Sequence, residues 1–276
     1  MNEFVQNTRQ MDIYQLLQAN DIMSVKDLST KLNVSLVTIR RDLDAMEANK
    51  LVKKFHGNVA LNTSDVQQPK FYKDLGTNRQ QKNAIAKVAS SLVKAHDVIS
   101  VDSSSSAYCI ADQLSSGLSL KVITNQLITA LRFASIPGVD VIQVGGLMHL
   151  ETASTTDYLA VNFLKTFKTD IAFMTSYSFN MPAGAFDSII NLIEIKKTFI
   201  EITKRVVLLE DSSKLKKQAM CLSAPLEKVN TIITDEEAPV EVLEQVIDAG
   251  KELFIARISD GSILKHYNPL PDSFSK

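Results

Sequence analysis

The chain is short of cysteine, of net charge and of long apolar runs, and each shortage excludes a class of function. Its 276 residues include two cysteines, Cys109 and Cys221, each among apolar or small neighbours. No cysteine pair has metal-ligand spacing, so both read as reduced core residues, and no disulfide framework or metal site is expected. The 30 Lys and Arg against 31 Asp and Glu leave a formal charge of −1. That excludes a general basic field, so any DNA contact must come from a local patch of defined geometry. No stretch is apolar for long enough to cross a bilayer, and residues 1–11 are polar, without the apolar core of a signal peptide. These absences predict a cytoplasmic protein that does not engage membranes. Low-complexity tracts and internal repeats are missing too, while 45% hydrophobic residues supply a sizeable core for one large domain or two ordinary ones.

What is present divides at a polar stretch. Residues 1–61 carry the periods of three helices and a hairpin. Ile13, Leu16 and Leu17 share one face of the first helix. Ser24 suits the N-cap of a second, with Val25, Leu28 and Leu32 on its stripe, and Asn33 tolerates the left-handed conformation that ends it. Ser35 suits the N-cap of a third, whose stripe is Ile39, Leu43 and Met46. Strand patterns over 51–55 and 59–61 flank a turn at His56, Gly57 and Asn58. This order predicts a winged helix-turn-helix. Residues 62–81, with Pro69, Gly76 and no sustained period, read as a linker that becomes helical near Arg79. From 82 to 276, strands (98–101, 120–123, 139–144, 171–175, 206–209, 231–233, 253–258) alternate with helices (83–94, 107–114, 127–133, 157–165, 190–203, 240–248). The alternation predicts an α/β, mostly parallel-sheet, Rossmann-like domain covered on both faces.

In the third helix, Ile39 and Leu43 face inward, which turns Val37, Thr38, Arg40 and Arg41 outward near its N-terminal half. A helix-turn-helix inserts that half into the major groove. There an Arg bonds guanine O6 and N7 together, and a Thr methyl meets the thymine methyl. Ser35 and the free N–H groups at the helix start suit a phosphate, and Lys53, Lys54 and His56 on the wing add backbone or minor-groove contacts. Two adjacent arginines alone would read as a solvated face. The surrounding helices and wing decide for DNA.

Four strand ends in the second part carry polar groups: Asp102 with Ser103, Ser104, Ser105 and Ser106; Thr124 with Asn125; Gly145 with Gly146; and Asp211 followed by Lys214. Open α/β sheets bind ligands at such ends. Serine hydroxyls suit an anion, the glycines permit close backbone approach, Lys214 supplies a cation and Asp102 orients its loop. A phosphorylated sugar or polyol fits this inventory. Each feature also has a bland counterpart: the serines as a loop with an N-cap, the glycines as a turn, and Lys214 beside Lys216 and Lys217 as a solvated basic turn.

Arg9, Ile13 and Leu17, then Ser35, Thr38, Ile39, Arg40, Arg41, Asp42 and Leu43, resemble the signature of the DeoR family of bacterial repressors. The wing resembles the family's basic-x-His-Gly-Gly-Ala segment from Lys54 to Val59, with Asn58, the next-best residue for positive φ, in place of the second Gly. The resemblance continues from Lys82 to about Asp235 and implies an effector domain related to ribose-5-phosphate isomerase. Serines stand where the family carries Gly-Thr-Thr, and Asp157 where it commonly has Gly, a carboxylate that either repels a phosphate or accepts a sugar hydroxyl. Glu194 and Lys197 either fit the family's Glu-x-x-Lys helix or form an ordinary surface ion pair. The resemblance implies a repressor of sugar or polyol genes, a homodimer or homotetramer on operator DNA, modulated by a phosphorylated effector and without a cofactor. The alternative is an isomerase with an appended DNA-binding domain. It needs a carboxylate base, and the strand over 171–175 runs into Ser176 to Asn180 with none before Asp187, so no catalytic residue is expected.

Overall fold

The computed structural model of the chain describes residues 8–20, 22–55, 57–62 and 70–268. It divides into two units, Met1–Gln68 and Pro69–Lys276. The first contains α1 (Thr8–Asn20), β1 (Ile22–Ser24), α2 (Val25–Leu32), α3 (Leu36–Ala48), β2 (Val52–Phe55) and β3 (Asn58–Leu61). The caps fall where the sequence puts them. Ser24 Oγ accepts the Asp27 N–H, Ser35 Oγ accepts the Thr38 N–H, and Asn33 ends α2 at φ 52° and ψ 46°. Ile13, Leu17, Leu28, Ile39, Leu43, Met46, Val52 and Val59 close one core, each worth about 1.5–3 kcal/mol. The wing is three-stranded, in the order β1-β3-β2. Strand β1 is only three residues long, too short to show an alternation. His56, expected at the wing turn, lies outside the described residues.

The second unit runs α4 (Lys70–Gly76), α5 (Arg79–Ser90), β4 (Val98–Val101), α6 (Ser105–Tyr108), β5 (Leu120–Thr124), α7 (Leu127–Ala134), β6 (Val139–Gln143), β7 (Met148–His149), β8 (Ser154–Thr155) and α8 (Tyr158–Leu164). It continues through β9 (Thr169–Met174), β10 (Ser178–Asn180), β11 (Gly184–Asp187), α9 (Ile190–Ile202), β12 (Thr203–Leu209), β13 (Cys221–Pro225), β14 (Thr231–Asp235), α10 (Val240–Asp248), β15 (Glu252–Ala256) and β16 (Ile263–Tyr267). The main sheet has the order β16-β15-β14-β12-β9-β4-β5-β6 and is parallel except for β16. Alternate residues of its strands feed opposite cores. Val207 and Leu209 of β12 join Ile85, Ile110 and Phe133 on one face, while Val206 and Leu208 join Leu164, Phe199 and Val246 on the other. The strand order reverses between β4, which leads outward to β5 and β6, and β9, which leads to β12, β14 and β15. Ligands of doubly wound sheets bind at that reversal.

One expectation needs correcting. The stretch 62–81 is not a linker throughout, because Phe71 of α4 is buried in the second unit edge-on to Tyr108 at 5.4 Å, and α5 already starts at Arg79. An aromatic anchor fixes a short helix that carries no sustained period. A small antiparallel sheet, β10-β11-β13, stands beside the expected parallel one. Its hairpin β10-β11 pairs with β13 from a later segment, and Gly184 lets β11 approach β13: at φ +119°, a Cβ there would stand 2.3 Å from the Ala224 carbonyl oxygen.

Candidate functional site

The expected DNA-reading surface is the exposed side of α3. Val37, Arg40 and Arg41 are exposed and Thr38 is half-buried, while Ile39, Leu43 and Met46 fill the core. Ser35 Oγ caps the helix and lies 2.8 Å from Thr38 Oγ1, so both hydroxyls sit together at the helix start. Asp42 is buried on the inner side and paired through two bonds with Arg9 of α1, which holds α3 against its support. On the wing, Lys53 is exposed. Lys54, expected to touch DNA, pairs with Asp44 and Glu47 of α3, the latter at 2.9 Å. Lys54 thus braces the wing against the helix that carries Arg40 and Arg41.

Within the second unit, a cavity of about 400 Å³ opens over the ends of β4, β9 and β12. Small-ligand pockets commonly span ~300–1,000 Å³. The segment after β4 contributes Asp102, Ser103, Ser104 and Ser105; that after β9 contributes Thr175, Ser176 and Tyr177; and that after β12 contributes Asp211, Ser213 and Lys214. The region of α4 and α5 adds Lys70, Phe71, Asn78 and Lys82, while β11 and α9 add Asp187 and Lys196.

The polar groups here are buried and mutually engaged. Asp102 Oδ2 accepts the Thr175 N–H at 3.0 Å, so this carboxylate orients the neighbouring β9 turn as well as engaging Ser104 of its own loop. Its Oδ1 has no hydrogen-bond partner among the described residues. Burial pushes the Asp102 carboxyl above its usual range, against the pull of Lys196, 3.9 Å away. Lys196 Nζ donates to Asp187 Oδ2 and to the Thr175 carbonyl, both at 2.6 Å. Burial alone would lower this ammonium, but Asp187 and Asp102 outweigh it and hold it above its usual value. Asp187, which burial alone would raise, is held below its usual range by Lys196 and by the Ser223 hydroxyl. A carboxylate held that firmly ionised is a poor proton acceptor. Lys214 is nearly buried rather than part of a solvated turn. Its Nζ donates to Thr175 Oγ1 and lies 3.7 Å from Glu210 and 3.9 Å from Asp211. Burial lifts the Glu210 carboxyl to about 7 despite Lys214 and the Ser176 hydroxyl, and burial with Lys214 nearby lowers Lys82 to about 8.

Not every expected residue reaches this cavity. Ser106 is fully buried away from it, whereas Ser104 lines it while its oxygen caps α6 on the Ala107 N–H at 3.2 Å. Thr124 accepts the Gln126 N–H, and Asn125 donates to the Thr155 carbonyl, so this pair stitches the segment before α8 instead of lining the cavity. Gly145 and Gly146 follow the terminal strand β6 and stand exposed, Gly146 against the Asp157 carboxylate that caps α8. The reason is spacing: strands lie ~4.8 Å apart, which puts the end of β6 ~10 Å from that of β4. Glu194 and Lys197 form an exposed ion pair at 2.9 Å, away from the cavity. Lys196, Lys82, Asn78, Thr175, Ser176, Asp187 and Glu210 escaped the sequence reading. Only Lys196 carried a readable signal, as a lysine on the apolar stripe of Leu192, Ile193 and Phe199.

Residues 9–65 match the DeoR-like helix-turn-helix domain, and residues 77–236 match the DeoR C terminal sensor domain. The chain is 33% identical to the HTH-type transcriptional regulator GolR of Listeria innocua, over 90% of this chain and 98% of that one. It is 24% identical to the glycerol-3-phosphate regulon repressor of Escherichia coli, over 88% of this chain and 96% of that one. Among solved structures, the sorbitol operon regulator SorC from Klebsiella pneumoniae aligns over 74% of this chain and 88% of its own, at 9% identity and a TM-score of 0.35.

Proposed function

We propose that this chain, which belongs to the DeoR family of DNA-binding transcriptional regulators, senses a phosphorylated sugar or polyol in the cavity of its second unit and thereby controls repression by its helix-turn-helix. It is a regulator rather than an enzyme, as its relatives are. Their names include a glycerol-3-phosphate regulon repressor, which supports a repressor of sugar or polyol genes. The observation that carries the effector reading is the meeting of Ser103 and Ser105 with Lys82, Lys196 and Lys214 in one buried cavity at the strand-order reversal. Hydroxyls and ammonium groups there suit a phosphate, and the unpartnered Asp102 Oδ1 suits a sugar hydroxyl. Lys214 already faces two carboxylates, so an anion entering the cavity competes with Glu210 and Asp211 for it. That competition gives the ligand a structural consequence, the differential interaction on which any switch depends.

A thermal-shift screen of sugar phosphates against their neutral parents tests the reading. The phosphates should raise the unfolding temperature, by an amount equivalent to ~2.7 kcal/mol at a hundredfold excess over the dissociation constant. Adding the active compound to a protein–operator complex should then change operator affinity. Equal shifts with neutral sugars would reject the anion site.

A further inference from the structure

We infer that helix α4 is the element through which an anion in the cavity acts on the DNA-reading unit, with Lys82 as the group that bridges anion and helix. The inference names the regulation of the cavity and rests on the effector reading above. Helix α4 is the first element of the second unit, so the chain that carries the DNA-reading unit enters the second unit through it. Lys70, Phe71, Asp74 and Thr77 all line the cavity. At offsets of one, four and seven residues they share one side of a helix. Helix α4 is therefore a wall of the cavity.

That wall depends on tertiary contacts. The helix has seven residues, and isolated helices shorter than about 12–15 residues are marginal in water. Phe71 packs edge-on to Tyr108, the Lys70 N–H donates to the Glu151 carbonyl at 2.8 Å, and Leu75 rests on the core beneath. The remaining hold comes from the cavity side. Lys82 of α5, 4% exposed, donates from Nζ to the Asp74 carbonyl in the last turn of α4, where a cation is favoured. Lys82 also lines the cavity with Ser103, Ser105 and Lys214. An ammonium carries three N–H donors, so it can hold the Asp74 carbonyl and an incoming anion together. Burial and Lys214 both work against its charge. An anion beside it restores that charge, and hydrogen bonds from charged donors are roughly twice as strong as neutral ones. The anion therefore tightens α4. Coupling of this kind is reciprocal, so operator binding that favours one state of α4 changes with the anion, and the anion's affinity changes with it by the same factor.

Hydrogen exchange of the full chain, read by mass spectrometry in tens of millimolar inorganic phosphate against chloride at equal ionic strength, tests the bridge. Phosphate should slow exchange over residues 103–105, which marks its binding. It should also slow exchange over residues 70–77 at least tenfold, equivalent to about 1.4 kcal/mol of local stability. In Lys82→Met, phosphate at saturation should still protect 103–105 but no longer 70–77, and operator affinity should stop responding to phosphate. Leu75→Ala loosens α4 from outside the cavity and serves should Lys82→Met misfold: it should keep the protection of 103–105 while its operator response to phosphate shrinks several-fold. Protection of 103–105 without protection of 70–77 in wild type would overturn the inference and leave the effector reading standing. So would a Lys82→Met or Leu75→Ala protein that keeps the full operator response. Absence of protection at 103–105 in wild type would instead remove the anion site itself, and the inference with it.

Discussion

Replacing Lys214 by Met should destabilise the second unit in a pH-dependent way. The nearly buried ammonium sits 3.7 Å from Glu210 and 3.9 Å from Asp211. Removing one partner of a buried pair costs about 3–5 kcal/mol, because the other charge is left uncompensated. Glu210 has an escape, since its folded value of about 7 stands above the ordinary 4.5. Between those values the native state binds more protons than the unfolded one, so this group's contribution to stability falls as pH rises from about 4.5 to about 7. Losing Lys214 removes an attraction that favours ionised Glu210 and extends the fall to higher pH. At about pH 8 the variant should therefore lose about 3 kcal/mol, or about 6–12 °C in the transition of the second unit. At about pH 5.5, where Glu210 is protonated in both proteins, the loss should be smaller, and what remains is the ionised Asp211 left without Lys214. Glu210→Gln should flatten the dependence, and the Lys214→Met/Glu210→Gln double variant should recover part of the loss, with a coupling of about 0.5–3 kcal/mol. Urea unfolding of the four proteins at both pH values measures this. A Lys214→Met protein as stable as wild type at high pH, or strictly additive variants, would refute the ion-pair reasoning.

Arg41→Ala, on the exposed side of α3, should weaken operator binding by about 1–3 kcal/mol and relax specificity at one base pair, read by fluorescence anisotropy on a set of operator variants. Lys53→Ala should weaken binding to all sequences alike and reduce the salt slope by about 0.9, whereas Lys54→Ala, already paired with Asp44 and Glu47, should change that slope less. Lys82, lowered to about 8 from 10.5, binds fewer protons folded than unfolded between those values, so its contribution to stability rises with pH across that window. A bound phosphate should restore its proton, so affinity for a sugar phosphate should fall as pH passes about 8, and Lys82→Met should abolish the trend; calorimetry in buffers of different ionisation enthalpy reads the proton uptake, and its absence would exclude Lys82 from the site. Gly184→Ala should cost at least about 1–3 kcal/mol in thermal unfolding, because the added Cβ meets a backbone carbonyl at a positive φ.

The sequence by itself determined the features that local physics controls. Caps at Ser24 and Ser35, the left-handed Asn33 and the stripe Ile39–Leu43–Met46 depend on neighbours within a turn or two, and they fixed α2, α3 and the outward side of α3. The alternation of apolar strands and amphipathic helices likewise fixed the α/β class, because each period is written along the chain. Tertiary structure decided which strand ends share a site. Four polar strand ends look equivalent in one dimension, yet the order β12-β9-β4-β5-β6 gathers Asp102, Thr175 and Lys214 and leaves Gly145 and Gly146 two strands away. It also decided that Lys196 rather than its neighbour Lys197 enters the cavity, a rotation of ~100° about the helix axis. Asp187 arrives there only because Gly184 lets β11 pack closely on β13. Local periodicity records which face of an element is buried; it carries no record of what that face is buried against, and a binding site is made of those long-range juxtapositions.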